Sequence, residues 1–279
     1  MAIKISNEIE HKIVNLYNEG YGVMELSDKF QLHRTTIQRV LKRHNVKLRK
    51  RTPAHYNIHF FDEYNINSCY WAGFIAADGY VRFDRANVSI HLSANDSSHL
   101  KKLEILTSYV GKTRVHDNDC CLSFAGEWFP KALADNFDIY PRKTFNVTIS
   151  NKIPKDMIPH FLRGYFDGDG CVTNAGEYLK ISFTSGSTTL LKQISEFFYD
   201  NDIRVRNEFG MPKVFNNCFI AYNCKNAQQV LDLLYLDSTE LTRLDRKYQL
   251  YLQYKSTSDK EIPIFTQDRN YVEKYVKEI

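Results

Sequence analysis

Apolar residues recur at helical spacing in three short stretches at the start of the chain, separated by turn-forming residues. The spacing predicts helices over Glu8–Asn18, Val23–Phe30 and Arg34–His44. Gly20 and Gly22 interrupt the pattern after the first helix, and a tight turn precedes the third. We therefore expect a small all-helical domain over residues 1–46.

The third of these helices combines one apolar face with one polar and basic face. Two short helices, a tight turn and a polar-faced third helix are typical of the helix-turn-helix DNA-binding unit. The start of such a helix enters the major groove, so the candidate base-facing residues are Arg34, Thr35, Gln38 and Arg39. Any small three-helix domain can produce the same pattern, and that alternative stays open.

Charge is distributed unevenly along the chain. The net charge is +4, but residues 1–55 hold 11 Lys/Arg and 5 Asp/Glu, a balance of +6, which leaves −2 for the rest. Residues 34–51 contain eight basic residues and no acidic one. This pattern favours a polyanionic partner over an ordinary solvated surface. Residues 47–59 are basic and lack periodicity, so we interpret them as a linker whose Arg49 and Arg51 follow DNA phosphates.

The main body of the chain contains an internal repeat with a constant offset. The nonapeptide WAGFIAADG at residues 71–79 matches LRGYFDGDG at residues 162–170, an offset of 162 − 71 = 91. The same offset relates two seven-residue segments of alternating polar and apolar character, 87–93 and 178–184, which predicts strands with one buried face. The chain is therefore a tandem duplication.

Each repeat is predicted to contain a helix, two strands, a helix, two strands and a helix, which makes an α+β fold of tandem αββαββα repeats. The first repeat is expected over residues 60–150 and the second over residues 151–254. The later strands are expected near Thr113–Asp117, Cys120–Ala125, Ile203–Phe209 and Asn217–Asn223, and the closing helices near Glu127–Asn136 and Asn226–Leu234. The tail, residues 255–279, is expected to end in a helix over Tyr271–Ile279.

Both nonapeptides carry small residues four positions apart before an Asp-Gly step. Residues four apart share a helix face, and small side chains there allow two helix backbones to approach closely. The expected interface residues are Gly73, Ala77, Gly164 and Gly168. If the two faces pack together, Asp78 and Asp169 meet at the helix ends, where paired carboxylates favour a hard divalent cation such as Mg²⁺.

An Asp-Gly step is also a common turn after a helix, and a single copy would favour that structural interpretation. Two copies in register, each behind the same spacing of small residues, favour a functional pair.

WAGFIAADG and LRGYFDGDG resemble the two motifs of a single-chain LAGLIDADG homing endonuclease, and the resemblance covers roughly residues 60–254. It implies that the motif helices form the interface of two pseudo-symmetric halves with saddle-shaped antiparallel sheets. It also implies that Asp78 and Asp169 bind the catalytic metals, Mg²⁺ or Mn²⁺, and the adjoining Ala77 and Gly168 are included in this metal set. In two places the sequence departs from the family pattern, because Trp71 replaces the leading Leu and Ala76 replaces an Asp that Asp167 keeps.

The resemblance further implies that polar side chains on the strands contact bases in the major groove. The candidates are Arg82, Asn87, Ser89, His91 and Arg114 in the first repeat, and Lys180, Ser182, Thr184, Arg204 and Arg206 in the second.

The family keeps a basic residue near each active site, and an Arg-Lys step ends each repeat here. The resemblance makes Lys143 and Lys247 the candidates, with the role of stabilising charge at the scissile phosphate or polarising the attacking water. Phosphate binding at a distance from the active site is the alternative. The Arg-Lys steps are 246 − 142 = 104 residues apart, so the second repeat holds about 13 more residues than the first. We therefore expect an asymmetric DNA target.

These observations predict a site-specific, metal-dependent endonuclease for double-stranded DNA that acts as a monomer without a protein partner. The family resemblance implies that its product has 3′ overhangs. An intron RNA maturase and a non-catalytic DNA-binding regulator remain alternatives. An intein is less expected because no His-Asn terminus is present. No leader or membrane-spanning stretch is found, and the six cysteines form no C-x-x-C pair, so we expect a cytoplasmic protein with reduced thiols and no zinc site.

Overall fold

The computed structural model describes residues 5–19, 21–48, 55–175, 178–203 and 218–257. The chain divides into two compact units, Met1–Pro53 and Ala54–Ile279. Each has a hydrophobic core of its own.

The first unit consists of three helices in its described part, α1 (Asn7–Asn18), α2 (Val23–Phe30) and α3 (Arg34–Arg43). Their bounds confirm the helices predicted from the apolar spacing to within a residue. Ile13 of α1 and Leu26 of α2 are fully buried in its core, which α3 completes with apolar side chains of its own.

A buried carboxylate joins the first and third helices of this unit. Glu10 on α1 is only 3% exposed. It accepts a hydrogen bond from the Arg43 guanidinium and contacts the His44 ring at 2.9 Å. Since a buried charge is costly without partners, this cluster fixes the end of α3 against α1.

The second unit contains two repeats, each built on a motif helix that leads directly into a strand. The first repeat comprises α4 (Ile66–Asp78), β1 (Gly79–Arg82), β2 (Asn87–Ser93), α5 (Ser97–Leu106), β3 (Arg114–His116), β4 (Asp119–Ala125) and α6 (Trp128–Phe137). The second comprises α7 (Ile158–Asp169), β5 (Gly170–Ala175), β6 (Tyr178–Ser185), α8 (Thr188–Asp200), β7 (Cys218–Asn223), α9 (Cys224–Tyr235) and α10 (Asp245–Thr257).

Both sheets are antiparallel in the described residues. The first has the strand order β1-β2-β4-β3, and the second has the order β5-β6-β7. The predicted α+β class is confirmed, as are the strands at 87–93 and from Tyr178. The predicted strand at Ile203–Phe209 lies outside the described residues except for Ile203, which is not in a strand, and the predicted helix at Tyr271–Ile279 also lies outside them. Helix α10 was not predicted.

The helices α4 and α7 lie side by side at the centre of the second unit, and we call them the central helix pair. Nine of the 13 residues of α4 and eight of the 12 residues of α7 are buried. The start of α4 is fixed by Asn65, whose side chain accepts hydrogen bonds from the amides of Asn67 and Ser68. One hydrophobic core runs through both repeats around the pair. Among the described helices, none is long and apolar enough to cross a membrane.

Candidate active site

The backbones of the central helix pair touch at two glycines. A β-carbon built on Gly73 would lie 1.9 Å from the Phe161 carbonyl oxygen, and one built on Gly164 would lie 1.8 Å from the Tyr70 carbonyl oxygen. One turn further on, a β-carbon on Gly168 would lie 2.4 Å from that of Ala77. The structure thus brings together the small residues singled out in the two motifs, and side chains larger than hydrogen or methyl would separate the helices.

Both central helices end at their aspartates and pass directly into strands. The next residues, Gly79 and Gly170, have negative φ angles of −80° and −84°. Glycine is therefore needed at these positions because other backbone atoms lie too close for a side chain, and not because the residue adopts a left-handed conformation. A β-carbon would lie 2.6 Å from the Ile75 carbonyl oxygen in the first repeat and 2.4 Å from the Phe166 carbonyl oxygen in the second. The tight turn places Asp78 and Asp169 at the same end of the helix pair.

The two aspartates share one electrostatic environment. Burial raises the pKa of Asp78 to about 6, and the negative charge of Asp169 adds to the rise. Burial also raises the pKa of Asp169, although part of its side chain is open to solvent; the Lys143 charge and a hydrogen bond from Tyr165 oppose this rise. Two carboxylates that repel each other in a poorly solvated site are stabilised by a cation.

The donor chemistry of this pair fits Mg²⁺. The described residues contain no cluster of three or more His, Cys, Asp or Glu side chains that could hold a metal by themselves. Mg²⁺ is commonly held by one or two carboxylates and completes its shell with water and substrate phosphates. Asp78 lies against the small Gly168, since its Oδ2 would be 3.2 Å from a β-carbon there. The pair therefore suits an ion whose remaining ligands come from water and a phosphate-bearing substrate.

Lys143 lies beside the aspartates and faces a cavity. Its ammonium donates to the Ala77 carbonyl oxygen at 2.9 Å, its one hydrogen bond within the described part of the chain. Burial lowers the pKa of Lys143 to about 8, and the charges of Asp169 and Asp78 partly offset this effect. Lys143 and Asp169 line a cavity of about 230 Å³ together with Ala76, Ala77, Thr144, Val147, Tyr165, Thr184, Ser185 and Gly186.

Lys247 has a different environment from Lys143. It lies on the first turn of α10 and is 3% exposed. Its ammonium donates to the carbonyl oxygens of Phe166 at 2.6 Å, Asp167 at 2.8 Å and Gly170 at 2.6 Å. Burial lowers the pKa of Lys247 to about 8, and Asp167 opposes that effect. The lysine therefore caps the carboxyl end of α7, where a positive charge is favourable.

Asp167 has a set of partners that no motif indicated. It is 1% exposed and accepts hydrogen bonds from the hydroxyls of Tyr70 and Tyr235 and from the Leu244 amide. Arg163, one turn earlier on α7, is also fully buried and donates to backbone carbonyls at Leu234 and Thr242. The sequence did carry a signal, because two charged residues four apart on a largely apolar helix require buried partners.

Most of the described strand residues expected to face DNA are open to solvent. His91, Arg114 and Lys180 are exposed, and Arg82, Asn87, Ser182 and Thr184 are partly so. Arg82 pairs with Asp84 on the strand's own turn. Ser89 contradicts the predicted exposure: it is only 7% exposed, because its small side chain lies on a central strand between its paired neighbours Tyr80 and Ser123.

The four candidates on α3 of the first unit, Arg34, Thr35, Gln38 and Arg39, are all exposed on one helix. Their DNA contacts stay a prediction. Arg49, Arg51, Arg204 and Arg206 lie outside the described residues.

Part of the second unit is similar to a known protein family. Residues 156–206 match the family model of a LAGLIDADG-like domain, a match that contains α7, β5, β6 and α8. A comparison with curated proteins found no match.

Solved structures of similar fold include the LAGLIDADG meganuclease I-AabMI bound to uncleaved DNA, with 15% identity, 70% of this chain and 90% of that chain covered, and a TM-score of 0.47. They also include the LAGLIDADG homing endonuclease I-SmaMI bound to cleaved DNA, with 12% identity, 70% and 88% coverage, and a TM-score of 0.48. A third is the LAGLIDADG homing endonuclease I-LtrWI bound to target DNA, with 12% identity, 79% and 97% coverage, and a TM-score of 0.45.

Proposed function

We propose that this chain is a LAGLIDADG-type endonuclease that hydrolyses double-stranded DNA at a specific site with a divalent metal ion. One observation carries the proposal: two duplicated motif helices touch through glycines and end together at Asp78 and Asp169. The match of residues 156–206 to the LAGLIDADG-like domain model supports it.

In this proposal, Asp78 and Asp169 hold Mg²⁺ or Mn²⁺, with the backbone at Ala77 and Gly168 beside them. The bound ion would supply Lewis-acid stabilisation of a phosphodiester and a more acidic water. Asp78, whose pKa is raised to about 6, becomes a stronger cation ligand as it loses its proton. Lys143 uses one of its three donors on the Ala77 carbonyl and has two left for a phosphate oxygen or the attacking water.

The exposed polar faces of the two sheets are the proposed surface for DNA. Alternation places Lys180, Ser182 and Thr184 on one face of β6, while Leu179, Ile181 and Phe183 are buried on the other. The two sheets present different side chains in their described parts, so the two half-sites should differ and the target should be asymmetric. By family resemblance, the product is a staggered break with 3′ overhangs.

The first unit is proposed to add a second DNA contact through the exposed side of α3. Tethering two DNA-binding units raises the effective concentration of the second once the first is bound. This arrangement would lengthen the recognised site without adding any catalytic group.

Cleavage of a plasmid library that carries randomised duplex inserts tests this function, because the library offers the protein many candidate targets at once. Purified protein is incubated with the library in Mg²⁺, and in EDTA as a control, and the broken ends are captured and sequenced. We expect one asymmetric sequence family with 3′ overhangs in Mg²⁺ only.

The double variant Asp78→Asn/Asp169→Asn is the matched control, because it keeps the shape of both side chains while removing their charge. It should yield no captured ends. A wild-type protein that binds duplex DNA tightly and yields no ends would refute the endonuclease and favour a non-catalytic DNA-binding regulator. Preferential binding of structured RNA without DNA cleavage would favour a maturase.

A further inference from the structure

The carboxylate of Asp167 connects both repeats inside the protein. Its Oδ2 accepts from the Tyr70 hydroxyl on α4 at 2.9 Å, and its Oδ1 accepts from the Tyr235 hydroxyl on α9 at 3.1 Å. Its Oδ2 also accepts from the Leu244 amide at 2.7 Å. We call these groups the Asp167 network. A buried carboxylate with three such donors strongly favours one arrangement of all three.

The Asp167 network holds the segment that begins α10. Leu244 immediately precedes this helix, and its carbonyl accepts the Lys247 amide at 3.0 Å. From the first repeat, Lys102 on α5 donates to the Arg243 carbonyl oxygen at 2.9 Å and contacts the Asp245 carboxylate at 2.8 Å. The start of α10 is therefore fixed from both repeats.

The fixed start of α10 determines where the Lys247 ammonium lies. An ammonium has three donors, and those of Lys247 are all used by the carbonyls of Phe166, Asp167 and Gly170. Lys247 therefore has no free donor for a phosphate or a water in this arrangement. Its positive charge instead stabilises the end of α7 that carries Asp169.

The first repeat does not have this arrangement. At the offset of 91 residues, Ala76 stands where the second repeat has Asp167, and Ala72 stands where it has Arg163. Lys143 lies on a short 3₁₀ turn over Lys143–Phe145 instead of an α-helix. Its ammonium makes one hydrogen bond to the described residues and faces the cavity.

We infer that Asp167 is a positioning residue that holds Lys247 on the carboxyl end of α7, so that of these two lysines Lys143 is the one free to contact the substrate. The inference rests on the proposed function for its consequence, which is that the two active sites are unequal and the two DNA strands are cut at different rates. The positioning itself is a property of the protein without DNA.

Amine labelling tests the positioning directly. The folded full-length protein is treated with a limiting amount of acetic anhydride, and the acetylation of Lys143 and Lys247 is followed by mass spectrometry. In the wild type, Lys247 should react much more slowly than Lys143. Asp167→Asn should speed the reaction of Lys247 at least about tenfold, a change of about 1.4 kcal/mol in its protection, and should change Lys143 much less.

Two milder variants keep the test decisive if Asp167→Asn does not fold. Tyr70→Phe and Tyr235→Phe each remove one hydroxyl donor to Asp167 and keep the aromatic ring. Ile194→Val is the matched control, because it trims a buried side chain on α8 and lowers stability without touching the Asp167 network. Unchanged Lys247 labelling in all folded network variants, or equal acceleration in Ile194→Val, would overturn the inference.

The consequence for the reaction is measured on the duplex recovered from the library, labelled on either strand. Asp167→Asn should slow cleavage of one strand at least about tenfold more than that of the other, with little change in the DNA concentration at half-maximal rate. Equal slowing of both strands would contradict the positioning role. If the wild type cleaves no member of the library, the proposed function is refuted and the labelling result alone decides the position of Lys247.

Discussion

Replacing Gly164 with alanine should force the central helix pair apart. The new β-carbon would lie 1.8 Å from the Tyr70 carbonyl oxygen, whereas ordinary contacts begin at 3.4 Å. The obstacle is backbone, which cannot rotate away, so the helices must separate by roughly 1.6 Å. A gap of about 0.5–1 Å already removes about a quarter to a half of the dispersion energy of the atoms that line it.

The expected loss of unfolding free energy for Gly164→Ala is about 2–4 kcal/mol. Overpacking of a core costs about 1–3 kcal/mol, and separation of the helices adds lost contacts, while alanine in a helix interior returns about 1 kcal/mol. Urea denaturation followed by circular dichroism measures the loss. In a thermal melting experiment, a loss of about 2 kcal/mol in unfolding free energy lowers the melting temperature by at least about 4 °C for a unit of this size.

A double-mutant cycle with Gly73→Ala makes this prediction specific to the helix contact. Gly73 meets the Phe161 carbonyl across the same interface, so the first alanine creates space that the second can use. The two losses should therefore sum to more than the loss in the double variant. A gain in stability for Gly164→Ala, as in an isolated helix, or strict additivity would refute the close contact of the two helices.

Three further predictions concern other parts of the chain. His160 is buried and its Nδ1 accepts from Arg163, and burial lowers its pKa to about 4 from 6.5. As the pH falls, the unfolded chain therefore binds a proton at His160 before the folded chain does. The contribution of His160 to the free energy of unfolding should be full above about pH 6.5 and should decrease toward pH 4. This is contradicted if the free energy of unfolding, measured with urea over this pH range, falls no more steeply in the wild type than in His160→Gln. Glu10→Ala should cost the first unit about 1.5–3 kcal/mol by removing hydrogen bonds to charged groups, seen as faster amide exchange in α1 and α3 but not in the second unit. Arg34→Ala/Arg39→Ala should weaken duplex DNA binding at least about tenfold in fluorescence anisotropy, and unchanged affinity would remove α3 from the DNA interface.

Local patterns predicted the secondary structure around the site well. The Asp-Gly steps end α4 and α7 at Asp78 and Asp169, because a residue after each helix must lack a side chain. The seven-residue alternation predicted the observed bounds of β2, because Val88 and Ile90 are buried on one face; on the other face His91 is exposed, although Ser89 is buried.

Partners far apart in sequence could not be predicted in this way. Tyr70 and Asp167 are separated by 97 residues, and Leu244 lies 77 residues beyond Asp167. No periodicity relates them, because only packing of the two repeats brings them together. For the same reason the sequence treats Lys143 and Lys247 as equivalent, although one faces a cavity and the other is enclosed by carbonyl oxygens.

The asymmetry between the repeats has a physical origin that is visible in retrospect. Ala72 and Ala76 make one face of α4 apolar, whereas Arg163 and Asp167 make the equivalent face of α7 polar. The polar face contacts the segment that connects α9 to α10. The corresponding segment after α6 in the first repeat is shorter. The buried charges of the second repeat thus go together with this longer connection, residues 236–244, whereas residues 138–142 follow α6 in the first repeat.

Single-turnover cleavage of the recovered duplex in Mg²⁺ tests the central claim most directly, with wild type compared with Asp78→Asn and Asp169→Asn. Loss of either carboxylate should reduce the cleavage rate at least about 100-fold while DNA affinity changes far less, because the proposed function places the aspartates at the reacting phosphate and the DNA contacts on the strands. Cleavage by either variant at the wild-type rate would contradict the assignment of the paired aspartates as the metal-binding catalytic centre.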